Sequence, residues 1–207
     1  MRIILIGSCG KMGQEIKKNI EKEDKIVAEV DKNKPLSKRN LHAEVIIDFS
    51  SATDRSKYFD YAKKWLIPYA CFSTGLTEKD EQSLEELAKT VKVLRCKNAS
   101  KGVNLLYDLA KLACKELQGA DVVLTEIHHK AKKDAPSGTA KELEKILTQH
   151  DLHYDISCHR VGNEKGYHEL KFFLGDEVIS LSHHALSRSI FAKGALEKAR
   201  ELVKSEF

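Results

Sequence analysis

The stretch Arg2-Ile3-Ile4-Leu5-Ile6-Gly7-Ser8-Cys9-Gly10-Lys11-Met12-Gly13 decides the architecture. Its continuous apolar start suits a strand in a parallel sheet covered on both faces. The run passes through glycines at 7, 10 and 13 into a helical segment, Gln14 to Asn19. Strand, glycines and helix in this order match the dinucleotide fingerprint in a variant form, with the middle glycine displaced by one position. Glycine is required there for a tight turn, for backbone approach to a pyrophosphate, and for close packing of helix on strand. The next strand, Lys25 to Val30, ends in Asp31. An acid about 20 positions after the glycines is where adenosine ribose hydroxyls are held. Lys32 follows and can face a 2′-phosphate, so use of both NADH and NADPH is expected.

Outward from that corner the pattern repeats. Lys32 to Ala43 is short, polar and carries Pro35, too little for a crossover helix with its turns. Val45 to Phe49 is a buried strand, and a hydroxyl from Ser50-Ser51-Ala52-Thr53 is expected to cap a helix from Asp54 to Trp65. Ile67 to Phe72 is the next strand and stops at Ser73-Thr74-Gly75. Thr77 caps a helix from Glu78 to about Thr90, with Glu81 as the expected partner in a capping box. Val91 to Arg95 is a short strand ending in Cys96-Lys97-Asn98-Ala99-Ser100. Alternating strands and helices describe a doubly wound sheet with its ligand across the carboxyl ends of the strands.

The character changes further on. Asn104 to Leu117 is an amphipathic helix, expected to turn Leu105, Leu109 and Leu112 inward, with Leu106 and Ala113 beside them. After a strand at 121–127 and a helix at 139–147 come Tyr154 to Arg160, His168 to Leu174 and Glu177 to Ser182. These strands are half polar, and Gly175-Asp176 reads as a hairpin turn. Ile190 to Val203 forms a closing helix. The expected fold is α/β: an N-terminal Rossmann-type doubly wound parallel sheet plus a second α+β domain with an open mixed, largely antiparallel sheet. Residues 1–99, completed by a C-terminal helix at 188–207, would bind the dinucleotide. Residues 100–187 would bind and turn over the substrate.

Composition narrows the function. At 207 residues, 42% hydrophobic and 32% charged, the chain is a soluble globular protein with room for one large domain or two small ones. A net charge of +4 without a long basic block suits an enzyme of small anions at least as well as a nucleic-acid binder, and no nucleic-acid partner is expected. The pairs Lys17-Lys18 and Lys63-Lys64 read as solvated helix faces. Cys9, Cys71, Cys96, Cys114 and Cys158 are scattered and form no C-x-x-C pair, which argues against disulfides or zinc and for a reducing compartment. Met1 leads straight into a strand and no apolar stretch reaches about 18 residues, so a cytoplasmic location without membrane contact is expected.

The residues best suited to chemistry lie at 126–140, Glu126-Ile127-His128-His129-Lys130-Ala131-Lys132-Lys133-Asp134-Ala135-Pro136-Ser137-Gly138-Thr139-Ala140. The backbone N–H groups of Gly138 and Thr139, with the hydroxyls of Ser137 and Thr139, make an anion cradle at a helix start. Neighbouring lysines can pair with a carboxylate, and a histidine titrating near neutrality can hand over a proton. Opposite a nicotinamide, such a site would reduce a polarised double bond in an acidic substrate. Lys130 and Lys133 read as solvated loop charges. Adjacent histidines in an extended strand point to opposite faces, and no carboxylate or cysteine stands at ligand spacing, so no metal is expected.

This stretch resembles the signature of the dihydrodipicolinate reductase family, also called 4-hydroxy-tetrahydrodipicolinate reductases. The resemblance extends over nearly the whole chain. It includes Gly7-x-x-Gly10-Lys11-Met12-Gly13, Asp48-Phe49-Ser50, Ser73-Thr74-Gly75, Asn98-Ala99-Ser100-Lys101-Gly102-Val103-Asn104 and Arg160-x-Gly162. It continues through Ser182-His183-His184-Ala185-x-Ser187-Arg188 and Phe191-Ala192-x-Gly194-Ala195. The resemblance implies hydride transfer from NADH and/or NADPH to a small cyclic dicarboxylate, giving tetrahydrodipicolinate in diaminopimelate and lysine biosynthesis. By matching positions, His128 takes the family's proton donor/acceptor role and Lys132 its proton-donor role. His129, Ser137, Gly138 and Thr139 would hold the substrate carboxylates. Gly7, Ser8, Cys9, Gly10, Lys11, Met12, Asp31, Phe72, Ser73, Thr74, Cys96, Lys97, Asn98 and Ala99 would line the cofactor. A homotetramer assembled through the second domain's sheet is also implied. Phe72 stands where the family usually has glycine, and Ala131 where a basic or polar residue is common. Two other readings are a different two-domain nicotinamide enzyme, such as an aspartate dehydrogenase, and a dinucleotide-binding regulatory module. The polar cluster weighs against the module, because a sensor needs neither an acid nor a carboxylate cradle.

Overall fold

In the computed structural model, which describes residues 1–51 and 55–206, the run Ile3 to Ile6 is wholly buried because both its faces are covered. It belongs to β1 (Arg2–Ile6), which is followed by α1 (Lys11–Asn19), β2 (Lys25–Val30), β3 (Val45–Asp48), α2 (Ser56–Trp65), β4 (Tyr69–Cys71), α3 (Glu78–Ala88) and β5 (Val93–Arg95). The strands form a five-stranded sheet in the order β2-β1-β3-β4-β5, every pair parallel. Ile4, Ile6, Ile46, Tyr69 and Cys71 pack on Tyr58 and Phe59 of α2 and Leu84 and Leu87 of α3. Ile3, Leu5, Val45, Ile47 and Ala70 pack on the other side, with Ile16 of α1 among them. The sheet is therefore doubly wound. Between β2 and β3 the chain makes only an Asp31–Lys34 bridge, and the expected absence of a crossover helix holds. The strand order reverses at β1, so the carboxyl ends of β1 and β3 form the switch point at which such sheets bind ligands.

At α2, Arg55 occupies the N-cap and makes no side-chain cap, while the expected start at Asp54 and the Thr53 hydroxyl lie outside the described residues. The start of α3 differs from expectation. At α3 the capping box forms, but Thr77 pairs with Asp80 and not with Glu81. Asp80 is the third helical residue, from which a side chain reaches back to the N-cap amide. Glu81 lies one position further round and pairs with Arg95 at 3.1 Å.

The second unit, Ser100–Arg188, begins with α4 (Lys101–Glu116), capped by the Ser100 hydroxyl. Its inner face is only partly the expected one: Leu106 is buried and Ala113 half-buried against the same core, as expected, but the other leucines are not. Val103, Leu106, Ala110 and Cys114 are buried, whereas Leu105, Leu109 and Leu112 are 59%, 40% and 56% exposed. Both sets recur at helical spacing. The smaller side chains Ala110 and Cys114 face Ala140 and Leu143, which lets two helices approach closely. There follow β6 (Asp121–His128), α5 (Gly138–Gln149), β7 (Tyr154–Arg160), β8 (Tyr167–Leu174) and β9 (Glu177–His184). The sheet runs β7-β6-β8-β9, with β6/β7 parallel and the other two pairs antiparallel, as expected. Alternation turns Val122, Leu124, Leu170 and Phe172 toward α4 and α5. The opposite face is open, and the facing pair Phe173 and Val178 is 42% and 50% exposed. Gly175 takes a φ of +67° in the turn joining β8 to β9.

The last helix, α6 (Ser189–Lys204), belongs to the first unit, which comprises Met1–Ala99 and Ser189–Phe207. Its Ala192, Ala195, Leu196 and Ala199 complete the core around Ile3, Leu5 and Ile47. Gly194 packs backbone to backbone: a Cβ there would lie 2.0 Å from the Ala99 carbonyl oxygen.

Candidate active site

Within the first unit the turn after β1 is shaped by what its glycines lack. Gly7 has a φ of +81°, and a Cβ on it would lie 2.7 Å from the Phe49 carbonyl oxygen. A Cβ on Gly13 would lie 2.3 Å from the Gly7 carbonyl oxygen, so α1 rests directly on the turn. Gly10 is the N-cap of α1 and supplies no side-chain acceptor. The first amides of a helix have no intrahelical partner and attract anions. Across the switch point, Asp31 accepts hydrogen bonds from Cys9 Sγ at 2.6 Å and from the Asn33 amide at 2.7 Å. Ser8 Oγ donates to the same carboxylate at 3.3 Å. The Cys9 bond and these amide and hydroxyl bonds hold the Asp31 carboxyl below the usual carboxylate range. A cavity of about 420 Å³ opens here, lined by Gly7, Gly10, Asp31, Lys32, Pro35 and Ser50 among others. Backbone amides at a helix start facing a nearby acid fit a dinucleotide.

The other proposed cofactor residues divide by orientation. Lys11, Thr74 and Lys97 are exposed, and Met12 and Asn98 half-buried. Phe72 is buried and stacks on Phe49 with ring centroids 5.1 Å apart. Ser73 Oγ donates to Asp48 Oδ1 at 3.1 Å, and Cys96 Sγ donates to the Asn98 carbonyl at 3.1 Å. The side chains of Phe72, Ser73, Cys96 and Ala99 are thus committed to the interior, and their backbone is what remains for a ligand.

In the second unit the alternation of β6 puts Glu126 and His128 on its helix-covered face, in line with Val122 and Leu124. Glu126 stands in register with Cys158 of β7 and His168 of β8, and His128 with Arg160. Glu126 has no exposed surface. Its Oε1 accepts from Arg160 Nη2 at 2.6 Å and from the Ser137 amide at 3.2 Å, and its Oε2 is bonded to His128 Nδ1. Burial alone would raise the Glu126 carboxyl, but the bonds from Arg160 and His128 outweigh it and hold the group below its ordinary range. Burial also pushes His128 below the ordinary histidine range despite the pull of Glu126. His168 is pushed down to about 3, by burial first and then by neighbouring His128. These shifts favour an ionised Glu126 bonded to a neutral His128, with a neutral His168 edge-on to His128 at 5.2 Å between ring centroids.

Ser137 is the N-cap of α5: its Oγ accepts from the Ala140 amide at 3.2 Å and lies 3.0 Å from His168 Nε2. Gly138 is exposed and Thr139 half-buried in the first helical turn. Lys132 is half-buried, and its Nζ donates to both oxygens of Asp134 at 2.8 and 2.9 Å. His129 is half-buried just beyond β6, while Lys130 and Lys133 are exposed, as read from the sequence. His128 and Ser137 are thus both bonded to one buried carboxylate.

Glu126, Arg160 and His168 received no role from the sequence. The signal for Glu126 was present, since residues two apart in a strand share a face. The expectation that no carboxylate stands at ligand spacing is corrected: Glu126, His128 and His168 each offer a ligand atom, all within 4.8 Å of one another. The Glu126 oxygens are nonetheless already held by a guanidinium and an imidazole, and a second cation beside Arg160 would be repelled.

Comparison with known proteins bears on both units. Residues 1–99 match the family model described as dihydrodipicolinate reductase, N-terminus, and residues 102–206 match dihydrodipicolinate reductase, C-terminus. A 4-hydroxy-tetrahydrodipicolinate reductase of Rickettsia bellii is 39% identical over 220 residues, covering 96% of this chain and 88% of that protein. One from Caldanaerobacter subterraneus is 35% identical over 233 residues, with 98% and 93% covered. The dipicolinate-bound dihydrodipicolinate reductase of a Paenisporosarcina species has the same fold, with a TM-score of 0.79 at 19% identity and 99% and 95% covered. An aspartate dehydrogenase of Thermotoga maritima is a more distant likeness, with a TM-score of 0.53 at 11% identity and 100% and 98% covered.

Proposed function

The chain belongs to the dihydrodipicolinate reductase family, and we propose from that premise that it reduces 4-hydroxy-tetrahydrodipicolinate with NADH or NADPH. The product is tetrahydrodipicolinate, formed as a hydride and a proton are taken up and the 4-hydroxyl leaves as water, on the route to diaminopimelate and lysine. The observation that carries the reading is His128 bonded to a buried carboxylate, which also holds the serine that caps α5.

When bound, the reduced nicotinamide supplies the hydride. The residues of this chain do the rest. The turn Gly7 to Met12 and Asp31 hold the dinucleotide, with backbone from Phe72 to Thr74 and from Cys96 to Ala99. Ser137, Gly138 and Thr139 at the start of α5, with His129, bind the carboxylates of the substrate. His128 and Lys132 manage the proton that must accompany the hydride. Asp134 anchors the Lys132 ammonium through both carboxylate oxygens.

A coupled assay tests the reaction: aspartate semialdehyde, pyruvate and the preceding synthase are supplied, and NAD(P)H absorbance is followed. No oxidation above background would overturn it. Lys32 lines the same cavity as Asp31, which supports use of both cofactors; strongly unequal kcat/KM values would refute that. The open sheet face with Phe173 and Val178 supports a homotetramer assembled there, and a monomer in sedimentation would exclude it. The five free cysteines suit the reducing cytoplasm. Among the described residues no helix is long and apolar enough to cross a membrane.

A further inference from the structure

We infer that Glu126, held by Arg160, is a positioning residue that fixes the tautomer of His128, leaving Nε2 as the nitrogen that exchanges a proton with substrate. The inference rests on the proposed proton-handling role of His128. An ionised carboxylate is an acceptor only, so a bond between Glu126 Oε2 and His128 Nδ1 requires the proton on Nδ1. An uncharged ring protonated there carries its lone pair on Nε2.

Two further observations agree. A Cβ on Gly166 would lie 3.1 Å from His128 Nε2, and the residue has a φ of +150°; glycine therefore keeps the approach to that nitrogen clear. The Arg160 guanidinium secures the other end. Its Nη2 donates to Glu126 Oε1 and to the Asp134 carbonyl, both at 2.6 Å. Asp134 in turn holds Lys132. Arg160 thus ties the anchor of one proton-handling group to the anchor of the other. A buried carboxylate placed only to hold the fold would be a poor device, since apolar replacements of buried ion pairs are often neutral or stabilising.

The test is Glu126→Gln, whose amide can donate to Nδ1 and drive the ring proton to Nε2. The expected result is a kcat at least about 100-fold lower, with the KM for the dicarboxylate and the Kd for NADH unchanged. Nitrogen-15 NMR of the ring, assigned by the signal lost in His128→Ala, should show the Nδ1–H tautomer in the native enzyme and the Nε2–H tautomer in the variant. Glu126→Asp, which keeps an acceptor, should recover part of kcat and the native tautomer. An Nε2–H tautomer in the native enzyme overturns the inference, whether or not the variants fold. Full activity in Glu126→Gln with His128→Ala impaired also overturns it. Full activity in His128→Ala overturns the reading of His128 itself.

Discussion

The corner from β1 to α1 and the corner from β6 to α5 share an outline. In each, a strand with a buried face runs through a polar turn into a helix. What fills the turn differs. After β1 the chain removes side chains, so that Gly7 and Gly13 allow α1 to sit on the loop and Gly10 leaves the helix start without a side-chain cap. After β6 it adds them: Ser137 caps α5, and Glu126, His128, Arg160 and His168 from three strands interlock beneath. A diphosphate needs only amides and a helix dipole, so local backbone suffices. A proton transfer needs a set tautomer and a set charge, which buried partners provide.

Substituting the proton-handling groups should give the largest separation of the two corners. His128→Ala and Lys132→Ala should each lower kcat by about 100- to 10,000-fold, with the NADH Kd from fluorescence titration unmoved. Unchanged kcat in both would move the chemistry elsewhere. Gly13→Ala should do the reverse. Its methyl would press on the Gly7 carbonyl, lowering stability by about 1–3 kcal/mol in urea unfolding and raising the NADH KM at little cost to saturated kcat. If α1 tolerates the methyl on both counts, the backbone-cradle account of the first corner is wrong. Ser137→Ala removes a helix cap worth about 1 kcal/mol and should raise the KM for the dicarboxylate but not for NADH. A rise in the NADH KM instead would erase the division of labour.

Acid should also tell the corners apart, through the smallest of these effects. His128 and His168 both have folded pKa values below the ordinary one, His168 at about 3. The unfolded chain then binds more protons as pH falls below about 6.5, so their contribution is complete above that pH and is lost as acid approaches the folded values. Asp31 in the first corner is likewise lowered, but from 3.8, so its contribution persists until the carboxylate range is reached. Hydrogen exchange compared at about pH 7.5 and about pH 6 should show β6 and β8 amides losing protection while β1 and β2 amides hold. Uniform loss would count against a specific histidine effect.

The same contrast explains what could be read from the chain. The first corner is local: Ile3 to Ile6, three glycines and an acid at the next strand end specify strand, turn, helix and switch point within thirty-one residues. His128, Lys132 and Ser137 were legible because they crowd one stretch. The guanidinium partner of Glu126 was not, because it arrives by strand register: Arg160 lies 34 positions away in sequence and meets Glu126 only once β7 pairs with β6. Helix α4 shows a different limit. Leu105, Leu109 and Leu112 form as good an apolar stripe as Val103, Leu106, Ala110 and Cys114. Periodicity identifies a helix with a buried side but cannot choose between two such sides, whereas close packing on α5 favours the smaller residues.

Helix α6 has a consequence for how the protein is made. Ala192, Ala195, Leu196 and Ala199 supply one side of the core that also holds Ile3, Leu5 and Ile47. Translation proceeds from the amino terminus, and domains generally fold as units while it does so. Here the unit begun first cannot close until residues near 199 have left the ribosome, while Ser100–Arg188 already has its own core. The half translated first is the half finished last, and its nascent sheet must wait with one apolar face covered only in part, by α1.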